Sequence, residues 1–180
     1  MVNVTFITGN QKKADYLAKY LGFSVNHVKI DLDEIQSLSL QEIVTHKVKQ
    51  AYEKVQSPVI VEDVSLEFEA LNWLPWPFIR FFVDLVPFEI VCSMINWQSR
   101  KAKAKCVFGY YDGKNLQLFE WWLDGTIAET PSGEHWYWRD KIFIPEWYEV
   151  TRANLSEDDD QKTYLQVKPF AQLKAFLETQ

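Results

Sequence analysis

Pro58-Val-Ile-Val-Glu62-Asp63-Val-Ser-Leu66 decides the fold of this 180-residue chain. Val59, Ile60 and Val61 are β-branched in succession, with no polar residue between them. A continuous apolar run of that kind reads as a strand buried on both faces, parallel and central in its sheet. The run ends in two adjacent carboxylates. Ligands of open α/β sheets bind beyond the carboxyl ends of the strands. Glu62 and Asp63 are therefore candidates for metal binding or acid–base chemistry. The plainer reading is that they leave the sheet into solvent.

Upstream, Val2, Val4 and Phe6 alternate with polar residues, so residues 2–8 read as a first strand. Thr8-Gly9-Asn10 follows, then Ala14, Leu17, Ala18 and Leu21 at helical spacing, ending at Gly22. Asn10 is placed to cap this helix. Lys12 and Lys13 stand in its first turn, where cations oppose the helix dipole. They are either two solvated lysines or the partners of a phosphate bound at the loop. Residues 23–30 read as a second strand, followed by the acidic Asp31-Leu-Asp-Glu34. A helix over 40–55 carries an apolar stripe of Leu40, Ile43, Val44, Val48, Ala51, Tyr52 and Val55. Lys47 lies on that stripe and must snorkel to water or meet an anion. With Glu34, Glu62 and Asp63 nearby, an anionic partner or a substrate phosphate is the expectation. His46, one place round, reads as exposed and without a role.

Downstream, Pro75-Trp76-Pro77 breaks the chain and residues 78–85 begin a helix that contains Arg80. Residues 88–97 read as a second short helix. From Lys101 the period becomes two. Ala102, Ala104 and Cys106 alternate with Lys101, Lys103 and Lys105, whose face reads as solvated. Asp112-Gly113 and Asp124-Gly125 are turn signals in an antiparallel meander. His135-Trp-Tyr-Trp-Arg-Asp140 mixes aromatic and polar groups, and Ile142–Pro145 reads as a strand. Ser156–Asp160 reads as an exposed acidic loop, and Pro169 opens a last helix.

Composition bounds the class. A 47% hydrophobic fraction supports a sizeable core in one domain or two tightly joined lobes. A net charge of −6 argues against a general nucleic-acid binder and leaves a small anionic substrate open. Cys92 and Cys106 form no metal or disulfide pattern and fit a reducing, cytoplasmic setting. No apolar run approaches ~18 residues, so neither a membrane span nor a signal peptide is expected. Aromatic residues make up 16% of the chain, and some in its second half offer surfaces for stacking on a planar ligand.

Two motifs now resemble a known family, the inosine/xanthosine triphosphate pyrophosphatases, which remove non-standard purine nucleoside triphosphates. Thr8-Gly9-Asn10-Gln11-Lys12-Lys13 is similar to the family's Ser/Thr-Gly-Asn-x-x-Lys opening. Glu62-Asp63-Val-Ser-Leu66, continuing through Ala70-Leu71, Pro75, Phe78 and Arg80, follows its central signature with substitutions. The resemblance covers roughly residues 1–82. It implies an α/β fold, a long mixed central sheet flanked by helices, in two lobes with the active-site cleft between them. Residues 1–180 would form a single domain, with lobe 1 over about 1–75 plus the C-terminal helix and lobe 2 over about 76–150. It implies a homodimer and Mg²⁺, with Mn²⁺ as a substitute. Thr8, Asn10 and Lys13 would hold phosphate. Glu34, Glu62 and Asp63 would bind the metal, with Asp63 positioning or deprotonating water. Lys47 and Arg80 would neutralise phosphate charge.

The second half departs from the family pattern. Its Phe-Gly-Trp-Asp becomes Tyr137-Trp138-Arg139-Asp140, with Tyr137, Trp138 and Asp140 placed to meet the base. Its Thr-Phe/Tyr-Ala-Glu-Met becomes Thr151-Arg152-Ala153-Asn154-Leu155. Its Ser-His-Arg, which reads the purine 6-keto edge, aligns with Tyr164-Leu165-Gln166. A site that loses donors changes which base it rejects. Gln166 both donates and accepts, so the expectation is a nucleoside triphosphate pyrophosphatase of altered base specificity. The alternatives are a nucleotide-binding sensor of weakened turnover, and an interaction module built on exposed tryptophans.

Overall fold

The computed structural model describes residues 4–76, 78, 82, 84–134 and 138–180, with backbone alone at 76 and 138. Strand β1 (Thr5–Ile7) is buried throughout and leads into helix α1 (Gln11–Leu21). Asn10 caps α1, its side chain accepting from the Lys13 N–H. Gly22, in the left-handed region at φ 78°, closes it by donating to Ala18. Ala14, Leu17 and Leu21 face the core. Strand β2 (Asn26–Val28) is shorter than its apolar pattern suggests and exposed along its length. Helix α2 (Leu40–Val55) has the bounds that its stripe predicts. Ser39 caps it by accepting from the Glu42 N–H.

Strand β3 (Val59–Phe68) begins as expected. Val59 and Ile60 are fully buried, and the strand pairs in parallel with β1, which in turn pairs in parallel with β2. It does not end at the carboxylates. It runs on for five residues past Asp63, so Glu62 and Asp63 are mid-strand residues. Pro75-Trp76 does not break the chain either. Both belong to β4 (Leu74–Trp76), antiparallel to β3, where Pro75 lies opposite Glu67. Proline is tolerated in such a short strand that pairs off the main order of the sheet.

Helix α3 (Phe88–Ser93) precedes the two long strands β5 (Lys101–Tyr111) and β6 (Leu116–Ile127). Asp112 makes the turn between them by accepting from the N–H groups of Lys114 and Asn115. Asp124-Gly125 is not a turn. It lies inside β6, where a Cβ on residue 125 would sit 2.3 Å from the Ile144 carbonyl oxygen. That oxygen belongs to β7 (Phe143–Pro145), antiparallel to β6. The acidic run after Ser156 is not a loop but the first turn of α4 (Glu157–Val167), where carboxylates suit the helix dipole. Helix α5 (Phe170–Leu177) follows Pro169.

The seven strands among the described residues form one mixed sheet of order β2-β1-β3-β5-β6-β7, with β4 on β3. The α/β class and the long mixed sheet are therefore as expected. The chain divides into two units. The first comprises Met1–Asp63, Cys106–Trp121 and Lys168–Gln180, and the second Val64–Lys105 and Trp122–Val167. The core of the first includes Phe6, Phe108 and Phe170, whose rings pack in series at 6.1 and 5.7 Å. The core of the second is built from Leu66, Phe68, Val91, Ile95, Ile127 and Ile142.

Candidate active site

Successive residues of a strand point to opposite faces of the sheet. Glu62 and Asp63, adjacent in sequence, accordingly meet different helices. Glu62 Oε1 accepts from Lys168 Nζ, just ahead of α5, and lies 3.4 Å from Lys13 Nζ on α1. Asp63 Oδ2 accepts from Lys47 Nζ on α2 at 3.0 Å, and the same ammonium donates to Glu34 Oε1 at 2.7 Å. All six side chains belong to the first unit. Within it the structure brings Glu34, Lys47 and Asp63 together, and sets Glu62 apart from them with Lys13 and Lys168.

The two clusters carry opposite charge. Two lysines surround the single carboxylate of Glu62, leaving a surplus positive charge. Two carboxylates surround the single ammonium of Lys47, leaving a surplus negative charge. Burial alone would lower the pKa of Lys47. The charge of Asp63 and the hydrogen bonds that Lys47 donates to Glu34 and Asp63 outweigh that and raise it above its ordinary value. Lys47 is thus held firmly as a cation, and its anionic partner is protein carboxylate.

Close packing fixes the reach of Lys47. A Cβ on residue 109 of β5 would lie 2.6 Å from Val44 Cγ1 on α2, so only glycine lets α2 lie this near the sheet. In the loop before α1, side-chain oxygens accept from backbone N–H groups. Thr8 Oγ1 accepts from the Asn10 N–H and Asn10 Oδ1 from the Lys13 N–H. The Thr8 hydroxyl proton is left as a donor, which suits an anion at the loop.

The sequence reading missed Lys168, which is buried with its side chain only 1% exposed. The signal was present. A lysine at the entry of the α5 helix opposes the dipole just as Lys13 does on α1. His46 is half-buried rather than exposed, and its Nδ1 is buried without a hydrogen-bond partner among the described residues.

In the second unit, Asp140 is buried and lies 3.5 Å from Arg152, which also donates to Asp160 at 2.8 Å. Gln166 is exposed on the last turn of α4. The backbone of Trp138 begins a 3₁₀ turn (Trp138–Lys141), whereas Arg80 and Tyr137 lie outside the described residues. The lysine face of β5 is not simply solvated. Lys105 pairs with buried Glu67 at 3.1 Å, and the Lys103 ammonium lies 4.9 Å from the Trp73 ring and 5.6 Å from that of Trp122. Glu67, Trp73, Lys103 and Lys105 line a pocket of about 310 Å³. Burial pushes the Glu67 carboxyl above its ordinary pKa, against the lowering pull of Lys105.

Comparison with known proteins extends beyond the two motifs. The chain is 34% identical to the inosine triphosphate pyrophosphatase of Scheffersomyces stipitis, with 100% of both chains covered. It is 37% identical to inosine triphosphate pyrophosphatase 2 of Trypanosoma cruzi, over 96% of this chain and 90% of that one. It is 36% identical to the dITP/XTP pyrophosphatase of Methanopyrus kandleri, over 89% and 88%. Among solved structures, a HAM1 protein from Coxiella burnetii shares the fold at a TM-score of 0.87, with 19% identity and 100% of both chains covered. Residues 4–176 match the Ham1 family from end to end, through the stretch where the motifs depart, and the chain belongs to that family.

Proposed function

We propose that this chain is a metal-dependent nucleoside triphosphate pyrophosphatase that releases pyrophosphate and leaves the monophosphate. The observation that carries the reading is that adjacent residues of β3 each meet lysine, Asp63 with Lys47 and Glu34 in one cluster and Glu62 with Lys13 and Lys168 in the other. A polyanionic substrate and its cation are each attracted to the cluster of opposite sign. The names of the relatives point to the same chemistry.

Glu34 and Asp63 converge on one point, the Lys47 ammonium. Among the described residues no cluster of three or more metal-ligating side chains occurs. Two carboxylates nonetheless fit Mg²⁺, which keeps several waters and takes further oxygens from substrate phosphates. Glu34 and Asp63 would hold it beside the Lys47 ammonium, with Mn²⁺ as a substitute, while Glu62 is set apart with Lys13 and Lys168. Bound there, the metal would neutralise phosphate charge and lower the pKa of water.

The residues divide the remaining work. Thr8, Asn10 and Lys13 bind and orient phosphate at the start of α1. Lys47 fixes the Asp63 carboxylate and faces the triphosphate. Asp63 takes the proton of the attacking water. The water oxygen bonds to phosphorus, the bridging anhydride bond breaks, and its electron pair leaves on the departing phosphate oxygen.

Base specificity differs from that of the relatives in this reading, because Leu165-Gln166 replaces two donors with one amide. A non-standard or modified purine nucleotide is the expected substrate. Trp138, Tyr137, Asp140 and Arg80 contribute to its recognition. The enzyme works as a homodimer in the cytoplasm, and among the described residues no helix is long and apolar enough to cross a membrane.

Pyrophosphate release with Mg²⁺, measured across ITP, dITP, XTP, ATP and 6-modified purine triphosphates, tests the proposal. Turnover on at least one of them is expected. Nucleotide binding with no turnover on any would replace the enzyme by a nucleotide-binding sensor.

A further inference from the structure

We propose that Lys168 is a positioning residue, which neutralises buried Glu62 and so keeps Lys13 available to the triphosphate. The inference rests on the pyrophosphatase reading and adds a residue to it. The Glu62 side chain is 2% exposed, so water contributes little to stabilising its charge. A carboxylate in that position needs a cation held against it. Lys168 is that cation. Its ammonium is as buried as the carboxylate and donates to Oε1. It also lies 5.8 Å from the Phe108 ring. The following helix is anchored by Phe170, whose ring stacks on Tyr20 of α1 at 4.8 Å.

Lys13 approaches the same oxygen from outside. It lies 3.4 Å from Oε1, and its side chain is 23% exposed. One carboxylate balances one ammonium. With Lys168 in place, the charge of Lys13 is left over in the first turn of α1, next to the Thr8–Asn10 loop. Without Lys168, Glu62 draws Lys13 inward as its counter-ion, and the loop loses the cation that meets phosphate. Lys168 therefore acts on the substrate through the position of Lys13. Residues 62 and 168 are 106 apart in the chain, and no local pattern links them.

The test is a double-mutant cycle on binding of the α,β-methylene analogue of ITP, read by titration calorimetry so that loss of turnover does not intrude. Lys13→Met and Lys168→Met are each expected to weaken binding by about tenfold or more, and the double variant by no more than about threefold beyond Lys13→Met. Lys168→Arg is expected to bind within about threefold of the unaltered protein, because it keeps the charge. Additive losses would show that Lys168 meets the ligand itself and would overturn the proposal, as would an unaffected Lys168→Met.

If Lys168→Met does not fold, Lys168→Met with Glu62→Gln takes its place. That pair removes both buried charges and is expected to bind within about threefold of the unaltered protein. A tenfold loss there also overturns the proposal. The pyrophosphatase reading is judged separately, from pyrophosphate release by the unaltered protein. A protein that binds the analogue but cleaves no nucleotide fails that reading, and the lysine cycle still gives its answer. If the analogue itself does not bind, the cycle is run with inorganic tripolyphosphate, and failure to bind that as well overturns the proposal.

Discussion

Lys47 and Asp63 meet at 3.0 Å, the helix α2 lysine donating to the carboxylate of mid-strand β3. The contact sets the orientation of the group assigned to the water. Asp63→Asn keeps the shape and removes the base. Turnover is expected to fall by at least ~10²-fold, the scale of losing a general base, while triphosphate affinity stays within about tenfold. Steady-state kinetics together with analogue binding check it, and near-normal turnover would remove Asp63 from its role.

Lys47→Met leaves Glu34 and Asp63 facing each other without the cation between them. Triphosphate binding is expected to weaken by about tenfold or more. The raised pKa adds a stability test. A raised lysine pKa means the fold favours the charged form. That contribution is complete below the ordinary value of 10.5 and is lost as pH rises through the higher folded value. Melting temperatures of the native and Lys47→Met proteins should therefore differ by a constant amount from pH 7 to 10 and converge above that. A gap that persists at higher pH would contradict the ion-pair account.

Glu67 shows the opposite sign. Its folded pKa is raised above the ordinary 4.5, so the fold favours the protonated acid. Ionisation weakens the fold once pH exceeds that range, and the penalty vanishes as pH falls below it. Glu67→Gln is expected to match or exceed the native protein at pH 7, by up to about 2–4 °C in melting temperature. The difference should disappear near pH 4. A lower melting temperature for the variant at pH 7 would mean that the Lys105 pair outweighs burial.

Gly109→Ala places a methyl 2.6 Å from Val44 Cγ1, a contact that must open. Overpacking of this kind costs about 1–3 kcal/mol. Because α2 is what moves, the Lys47 contact should suffer too. A raised KM for the nucleotide is expected beside the lower melting temperature. Loss of stability with unchanged KM would show that α2 yields away from Lys47.

The sequence made α1, α2 and the buried start of β3 legible, since cap residues and apolar periodicity are local signals. Lys47 was legible as well, because a lysine on an apolar stripe demands an anion. The end of β3 was not. Two adjacent carboxylates suggest solvent, yet lysines from three other segments neutralise them, and the strand continues. Asp124-Gly125 has the composition of a turn, but the glycine answers to the Ile144 carbonyl of another strand. Ser156–Asp160 looked like a solvated loop because its charges were counted without the dipole that they face. Lys168 required a partner that only the folded chain supplies.

Cys106 sits fully buried among Glu62, Lys13 and Lys168, and burial pushes its thiol up to about 12. Such a sulfur is inert to alkylating reagents while the first unit stays closed. Its labelling rate therefore counts openings, and nature has placed a clock beside the charged triad. Substrate that tightens the triad should slow the clock, and a chain that lets Lys13 wander should make it run fast.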